Sequence, residues 1–150
     1  MGVANIEKNI YDRVIVQLKG INGSGNYNFN IQDSQIYEKF KMPSEVAPDR
    51  GRPILCMGEQ RIATSEGVRR GEFEYPYSLE VWGYAKHSSD TWSELNKLIS
   101  DVRIALAGAE HLNDLVTEFG FQVSSGIDTA TGVGVMLFLL KGNACYDTDA

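Results

Sequence analysis

The sequence has little of what a secreted, metal-binding or membrane-spanning protein needs. Its 150 residues include two cysteines and two histidines. Cys56 and Cys145 lie outside any CxxC or histidine-rich pattern, which favours free, packed thiols in a reducing cytoplasm over a disulfide. The longest apolar run, Val133–Leu140, is far shorter than the roughly 20 residues of a membrane-spanning helix. We therefore expect one domain over residues 1–150, with no metal, no cofactor and no membrane partner.

A basic excess is also missing. The formal net charge is −6, and residues 76–150 carry the whole imbalance, with four basic and ten acidic side chains. An acidic field repels nucleic acid, which argues against a protein that reads DNA grooves. The arginines are nevertheless clustered, and five of the seven are Arg50, Arg52, Arg61, Arg69 and Arg70. This cluster is either a solvated loop or a contact surface, since arginine is enriched at protein interfaces.

Hydrophobic periodicity predicts a helix first and strands after it. Ile10, Val14 and Leu18 recur at helical spacing, and the glycines that follow end the helix. The elements predicted in the first half are a helix over residues 5–21, a half-buried strand over 27–31 with a short continuation over 35–40, a proline-rich loop over 41–53, an apolar strand over Ile54–Met57 and a polar loop over Gly58–Gly71.

The second half alternates in the same way. Its predicted elements are a strand over Phe73–Tyr84, a capping box at Thr91–Glu94, a helix over Leu95–Leu106 ended by Gly108, a helical turn over 110–118, a strand over Phe119–Val123, a loop over Ser124–Gly132 and a strand over Val133–Leu140. This order predicts an α+β fold, in which a mostly antiparallel (mixed) sheet of four to five strands has two long helices packed on one face.

The strand over Phe73–Tyr84 carries large aromatic rings on both faces. Tyr75 and Tyr77 share one face, and Trp82 and Tyr84 share the other. A monomer with one hydrated sheet face does not need rings there, so we expect another subunit to bury the second face. Pro76 interrupts this strand, which predicts an edge position or a bulge.

No residue pattern predicts a reaction with any specificity. The glycine-rich segment over residues 20–25 joins a helix to a strand, the reverse of the order in nucleotide-binding loops. His87, Ser88, Ser89 and Asp90 are consecutive, whereas a catalytic triad converges from separate segments, so we expect a helix cap there. Glu72 and Glu74 lie about 7 Å apart on one strand face, but a single face makes no sugar cleft. His111 has no metal-ligand spacing to other residues.

The order of these patterns resembles the bacteriophage tail terminator family, also called tail-completion or minor tail proteins. The segments that carry the resemblance are Leu18–Ile21, Tyr27–Ile31, Pro43–Pro53, Pro53–Glu59, Tyr77–Lys86 and Leu95–Leu106. The resemblance implies a sheet with helices packed on it and a six-fold ring with a central channel for DNA. Members share no active-site motif, so no catalytic residue is implied. Val133–Leu140 is more apolar than the family's last strand.

The resulting hypothesis is a non-enzymatic virion protein that forms a hexameric ring on the tail tube, ends tube polymerisation and provides the surface for joining the head. Its expected partners are its own copies, the tail tube protein and a head-completion or neck protein, with DNA passing through without sequence-specific binding. We expect assembly in the host cytoplasm and a final location in the virion, at the head-proximal end of the tail. The predicted interface residues are Arg50, Arg52, Arg61, Arg69, Arg70, Glu72, Glu74, Tyr75, Trp82 and Tyr84.

Two alternatives stay open from the sequence. One is another neck or head-to-tail connector protein, which shares the same features. The other is a small-molecule-binding or hydrolytic α+β domain that uses His87 with Glu72 or Glu74.

Overall fold

The computed structural model describes residues 6–62, 72–107 and 116–147. The helices and strands in these ranges are α1 (Ile6–Lys19), β1 (Ile36–Tyr37), β2 (Ile54–Ile62), β3 (Glu72–Ala85), α2 (Thr91–Ala107), β4 (Val116–Ile127) and β5 (Gly134–Asp147). Short 3-10 turns occupy Asp33–Gln35 and Pro43–Glu45.

The five strands form one sheet in the order β1-β2-β3-β5-β4. β1 runs parallel to β2, and the other neighbouring pairs are antiparallel. The register shifts between Met57 and Gln60 in β2 and between Thr117 and Gly120 in β4. This mixed, mostly antiparallel sheet with two helices confirms the α+β class that the sequence predicts.

Both helices pack on the same face of the sheet, which we call the helix face. Ile10, Val14 and Leu18 of α1 and the apolar side of α2 are buried there. The facing strand residues are buried in the same cluster, and they include Leu79, Val81, Met136, Phe138 and Leu140. Their spacing of two along β3 and β5 is what a one-sided apolar strand face requires.

The segment after α1 is not the predicted strand. Residues 27–31 form an irregular stretch with an isolated bridge between Asn22 and Asn30. Phe29 and Ile31 are buried, so the alternation reports burial correctly. The carboxylate of Asp101 on α2 accepts the backbone N–H groups of Asn28 and Phe29, each at 2.8 Å. A side chain therefore satisfies donors that a neighbouring strand would otherwise have to satisfy.

Three predicted boundaries and one of the two alternatives for Pro76 are also wrong. β5 continues to Asp147, well beyond the predicted end at Leu140. β2 continues to Ile62, so the first part of the predicted loop Gly58–Gly71 is strand. β4 continues to Ile127, so the predicted loop Ser124–Gly132 shrinks to the turn around Asp128. The β3–β5 register runs through Pro76 without a shift, so the bulge expected at this proline is absent on that side. Residues 63–71 and 108–115, which include Gly108, His111 and most of the predicted turn over 110–118, lie outside the described residues.

The start of α2 uses other groups than the predicted capping box. Asp90 precedes the helix, and its carboxylate accepts the N–H of Ser93 at 3.0 Å. Glu94, the predicted partner of Thr91, is buried and instead accepts the N–H of Gly51 at 3.0 Å. The Glu94 carboxylate therefore attaches the 41–53 loop to α2.

Gly83 in β3 lies close beneath Leu98 of α2 and beside Met136 of β5. A Cβ at this position would lie 2.5 Å from Cε of Met136 and 3.0 Å from Cδ2 of Leu98. We expect Gly83→Ala to lower the free energy of unfolding by about 1–3 kcal/mol, because overpacking displaces both side chains. Urea titration measures the loss. Gly126→Ala is the matched control, since nothing lies within 4 Å of a Cβ there, and an equal loss in both variants would contradict the prediction.

Candidate assembly surface

The side of the sheet away from the helices carries an apolar stripe, and we call this side the outer face. Trp82 and Tyr84 of β3 lie opposite Leu137 and Val135 of β5. Glu80 lies opposite Leu139 one step further along. Because side chains alternate along a strand, none of these residues shares the helix face with Val81 and Phe138. The outer face therefore needs a cover other than the two helices.

The loop that precedes β2 covers one part of the outer face. Ile54, Cys56, Tyr84 and Val133 form a small buried cluster, against which Tyr37, Val46, Trp82 and Val135 pack. The carbonyl oxygen of Lys41 accepts a hydrogen bond from the Tyr84 hydroxyl. Burial raises the pKa of the Cys56 thiol and of the Tyr84 phenol. Tyr84 is therefore buried inside its own chain, whereas the sequence pattern had predicted that a second subunit covers it.

The rest of the stripe has no cover within the described residues. Trp82, Val135, Leu137 and Leu139 are each only half-buried. Phe40 is 42% exposed and contacts Trp82 edge-on, with ring centroids 5.3 Å apart. These side chains, with the 52% exposed Met42 beside Pro43, form what we call the outer stripe. A contiguous exposed apolar patch on a folded protein commonly marks a contact surface.

A groove of about 380 Å³ lies within the outer stripe. Its lining is Pro43, Trp82, Ser124, Ser125, Gly126, Ile127, Asp128, Val135 and Leu137. The indole N–H of Trp82 donates to Oε1 of Glu80 at 3.0 Å. This hydrogen bond holds the ring over Gly58, where a Cβ would lie 2.6 Å from Nε1 of Trp82. Gly58 is therefore required for the close approach of this ring. The groove offers apolar area with a few polar groups at its border, as interfaces do.

The three described arginines of the predicted cluster lie at two separate places. Arg50 and Arg52 lie in the turn before β2, whereas Arg61 lies near its far end. The strand between Ile54 and Arg61 spans about 20 Å at 3.3 Å per residue. Arg61 contacts the carboxylate of Glu59 at 2.9 Å on the surface. Arg69 and Arg70 lie outside the described residues, as do the side chains of Glu72, Glu74 and Tyr75, whose backbone belongs to β3.

Of the three residues in the enzymatic alternative, His87 has a described side chain, whereas the side chains of Glu72 and Glu74 lie outside the description. Nδ1 of His87 accepts the N–H groups of Ser89 and Asp90, at 3.0 and 3.1 Å. The hydroxyl of Thr91 donates to the His87 carbonyl oxygen at 3.0 Å. These bonds shape the turn that leads into α2. In the described ranges, no group of three histidine, cysteine, aspartate or glutamate side chains is placed to hold a metal ion.

Several members of the outer stripe were not predicted from the sequence. Phe40 was assigned to the short strand continuation over 35–40 and Met42 to the loop over 41–53. Neither residue was named as a candidate interface residue. The sequence did indicate Val135, Leu137 and Leu139, because an apolar run without polar alternation predicts a strand that is buried on both faces.

No helix in the described part of the chain is long and apolar enough to cross a membrane.

Comparisons with known proteins identify a fold and no family. No protein-family model matches the sequence, and no curated protein matches it. Among solved structures, a chain from the virion of a native gene transfer agent particle is similar, with a TM-score of 0.61. The match covers 97% of this chain and 99% of that chain at 12% sequence identity. Over nearly its whole length, this chain therefore has the fold of a protein found in a virion particle.

Proposed function

We propose that this chain is a structural protein of a phage-like virion, which forms a ring that caps the tail tube, ends its polymerisation and provides the surface for joining the head. The observation that carries the proposal is the likeness to a virion chain over almost the full length of both proteins. The tail-terminator role within the virion comes from the sequence resemblance. The proposed role requires no catalysis, because it depends on surface complementarity.

The outer stripe supports assembly as the mode of action. Its exposed members, Phe40 and Met42, lie beside the half-buried Trp82, Leu137 and Leu139. The contact of these side chains with water is unfavourable in an isolated subunit. A head-to-tail contact that closes on itself produces a ring and uses two different surfaces of each subunit. We assign the outer stripe, whose groove is bordered by residues 124–128, to the contact between copies.

The charge distribution fits a channel through which DNA moves. Residues 76–150 carry ten acidic and four basic side chains. An acidic lumen repels phosphates, so DNA passes without adhering to it. Among the proposed partners, the tail tube protein contacts one surface of the ring and a head-completion or neck protein contacts the other.

Electron microscopy and a capping assay test the proposal together. Negatively stained protein at high micromolar concentration is expected to show rings with a central channel, and addition of these rings to growing tail tubes is expected to stop elongation. Rings that leave tube growth unchanged but bind the head-proximal neck would indicate a connector protein instead. A stable monomer without effect on either would refute the structural role.

Charge reversal at Arg69 and Arg70 tests the predicted arginine contact. We expect Arg69→Glu with Arg70→Glu to reduce tube capping at least about tenfold, because two cations at an interface are replaced by two repelled anions. Capping is measured as the ring concentration that halves tube elongation. Lys8→Glu with Lys19→Glu supplies the same change in charge on α1, and equal capping by all three proteins would remove these arginines from the interface.

A further inference from the structure

β4 forms one end of the sheet and leaves a row of backbone groups without a strand partner. In the part of the chain that the structure describes, Val116–Ile127 pairs only with β5. Every second N–H and C=O group of an edge strand points away from the sheet, where it can bond another strand. At 12 residues, β4 is long for an unprotected edge.

Features that usually protect an edge strand are missing from most of β4. Between Phe119 and Ile127 the strand contains no charged residue and no proline, whereas edge strands are commonly guarded by lysine, proline or a bulge. The register shift of β4 lies between Thr117 and Gly120, so the pairing from Gly120 to Ile127 is regular. Phe119, Phe121 and Val123 are only partly buried against the core. The edge therefore has both the backbone groups and the side chains of a pairing site.

The opposite end of the sheet has a second open segment. β1 pairs with Leu55 and Cys56 of β2. The edge of Gly58–Ile62 that points away from β3 has no paired strand among the described residues, and we call it the open edge. Ile62 lies opposite the buried Tyr77, which places Ile62 on the helix face, and Arg61 lies opposite Ser78 on the outer face. At the end of this segment the apolar Ile62 is on the helix face and the charged Arg61 is on the outer face. The facing sense is the same in β4, where Val123 is on the helix face and the polar Ser124 is on the outer face.

We propose that β4 of one copy pairs with the open edge of Gly58–Ile62 in a second copy, so that the sheet continues from subunit to subunit. The helix faces then adjoin, with Phe121 and Val123 next to Ile62, and the outer faces adjoin, with Gln122 and Ser124 next to Arg61. Because the two edges lie at opposite ends of one sheet, the contact is head-to-tail, the type that produces a ring when its rotation closes. The inference rests on the proposed function for its ring, and it names the strands that build it.

Cysteine pairs test this contact directly. In a Cys145→Ser background, Arg61→Cys is combined with Ser124→Cys in one protein and with Gln122→Cys in another. Residues opposite each other on paired strands have Cβ atoms about 4.5–5.5 Å apart, close to disulfide geometry. Mild oxidation is expected to link one of the two double variants into a ladder of dimers, trimers and higher species on denaturing gels.

The single variants are the controls. Arg61→Cys, Ser124→Cys and Gln122→Cys are each expected to stay monomeric on the gel after oxidation. Efficient dimers from Ser124→Cys or Gln122→Cys alone would overturn the proposal, since they indicate β4 pairing with β4 across a two-fold axis. Rings that form without any link in either double variant would also overturn it.

Guarding the edge with charge gives an independent test. Gln122→Lys with Ser124→Lys places two cations beside the partner's Arg61, and we expect ring formation to need at least about tenfold more protein. Asn96→Lys with Ser100→Lys adds the same charge at exposed positions of α2 and is expected to assemble as the unmodified chain does. Thermal unfolding of both variants checks that the subunit fold is retained.

Hydrogen exchange and capping separate this inference from the proposed function. About half of the amides over residues 119–127 are expected to exchange slowly in the ring and rapidly in the lysine variant. If the unmodified rings cap tubes while the lysine variant assembles normally, the strand contact is wrong and the proposed function remains. If the rings form through this contact but do not cap tubes, the tail-terminator role is wrong and the strand contact remains.

Discussion

Asp101→Ala is expected to lower the free energy of unfolding by about 3–4 kcal/mol. Asp101 is fully buried in α2, and its carboxylate serves a segment more than 70 residues earlier in the chain. Oδ1 accepts the backbone N–H of Asn28 at 2.8 Å and its side-chain amide at 3.0 Å. Oδ2 accepts the N–H of Phe29 at 2.8 Å. Alanine leaves these donors without an acceptor beside the core, which costs about 1–3 kcal/mol for each buried group.

Chemical unfolding measures the loss, and two variants make the reading specific. Asp12→Ala removes an exposed carboxylate that contacts Lys8 at 2.7 Å, a helix pair for which about 0.3–0.5 kcal/mol is typical. Asp101→Asn keeps one oxygen but turns an amide N–H₂ toward a backbone donor, so we expect an intermediate loss. Equal stability of the Asp12→Ala and Asp101→Ala proteins would show that the carboxylate does not hold residues 28–29 in place.

The same carboxylate predicts a dependence of stability on pH. Burial raises the pKa of Asp101 above its ordinary 3.8, and the N–H donors of Asn28 and Phe29 oppose that shift in part. Between the ordinary and the raised pKa, the folded protein binds more protons than the unfolded chain, so stability falls as pH rises through this window. We therefore expect the unmodified protein to lose stability relative to Asp101→Asn as pH rises through this window. Above the window, the difference in unfolding free energy between the two proteins is expected to stay constant.

The sequence predicted the elements best where periodicity was long. α2 and β3 were placed correctly because Leu95–Leu106 and the alternating strand bury one face over many residues. The start of β5 was also correct, but its end at Asp147 was not predicted. The segment Tyr27–Ile31 shows the limit, since alternation reports which side chains are buried but not which group satisfies the backbone. Here the acceptor is Asp101, and its distance along the chain left no local signal.

The candidate surface was predictable only in part, for a related reason. Trp82 and the apolar run Val133–Leu140 indicated a sheet with a second apolar face. Tyr84 belongs to the same face but is covered by a loop of its own chain, through Lys41. Whether a loop folds back over a strand depends on tertiary packing, and the prolines of residues 41–53 fixed only that a loop exists. The division of the outer face into covered and uncovered parts therefore required the structure.

Leu137→Asp is expected to weaken ring assembly about 100-fold while leaving the subunit folded. Leu137 lies in the middle of the outer stripe, opposite Trp82 and in the lining of the groove. If another copy covers this stripe, the new carboxylate must lose its water on assembly without gaining a partner, which costs roughly 3 kcal/mol. In the isolated subunit the side chain is only half-buried, so the carboxylate remains hydrated there.

Val16→Asp is the matched control for this prediction. Val16 is 63% exposed on α1, on the opposite side of the sheet from the outer stripe, so the same carboxylate there meets water in both the subunit and the ring. Sedimentation velocity over a range of protein concentrations gives the assembly midpoint of each variant, and thermal unfolding confirms that both fold. A shift of the midpoint in both variants would indicate a general effect of charge, and a shift for Val16→Asp alone would move the interface to the helix side. Only a shift confined to Leu137→Asp fits a ring in which sister copies bury the outer stripe.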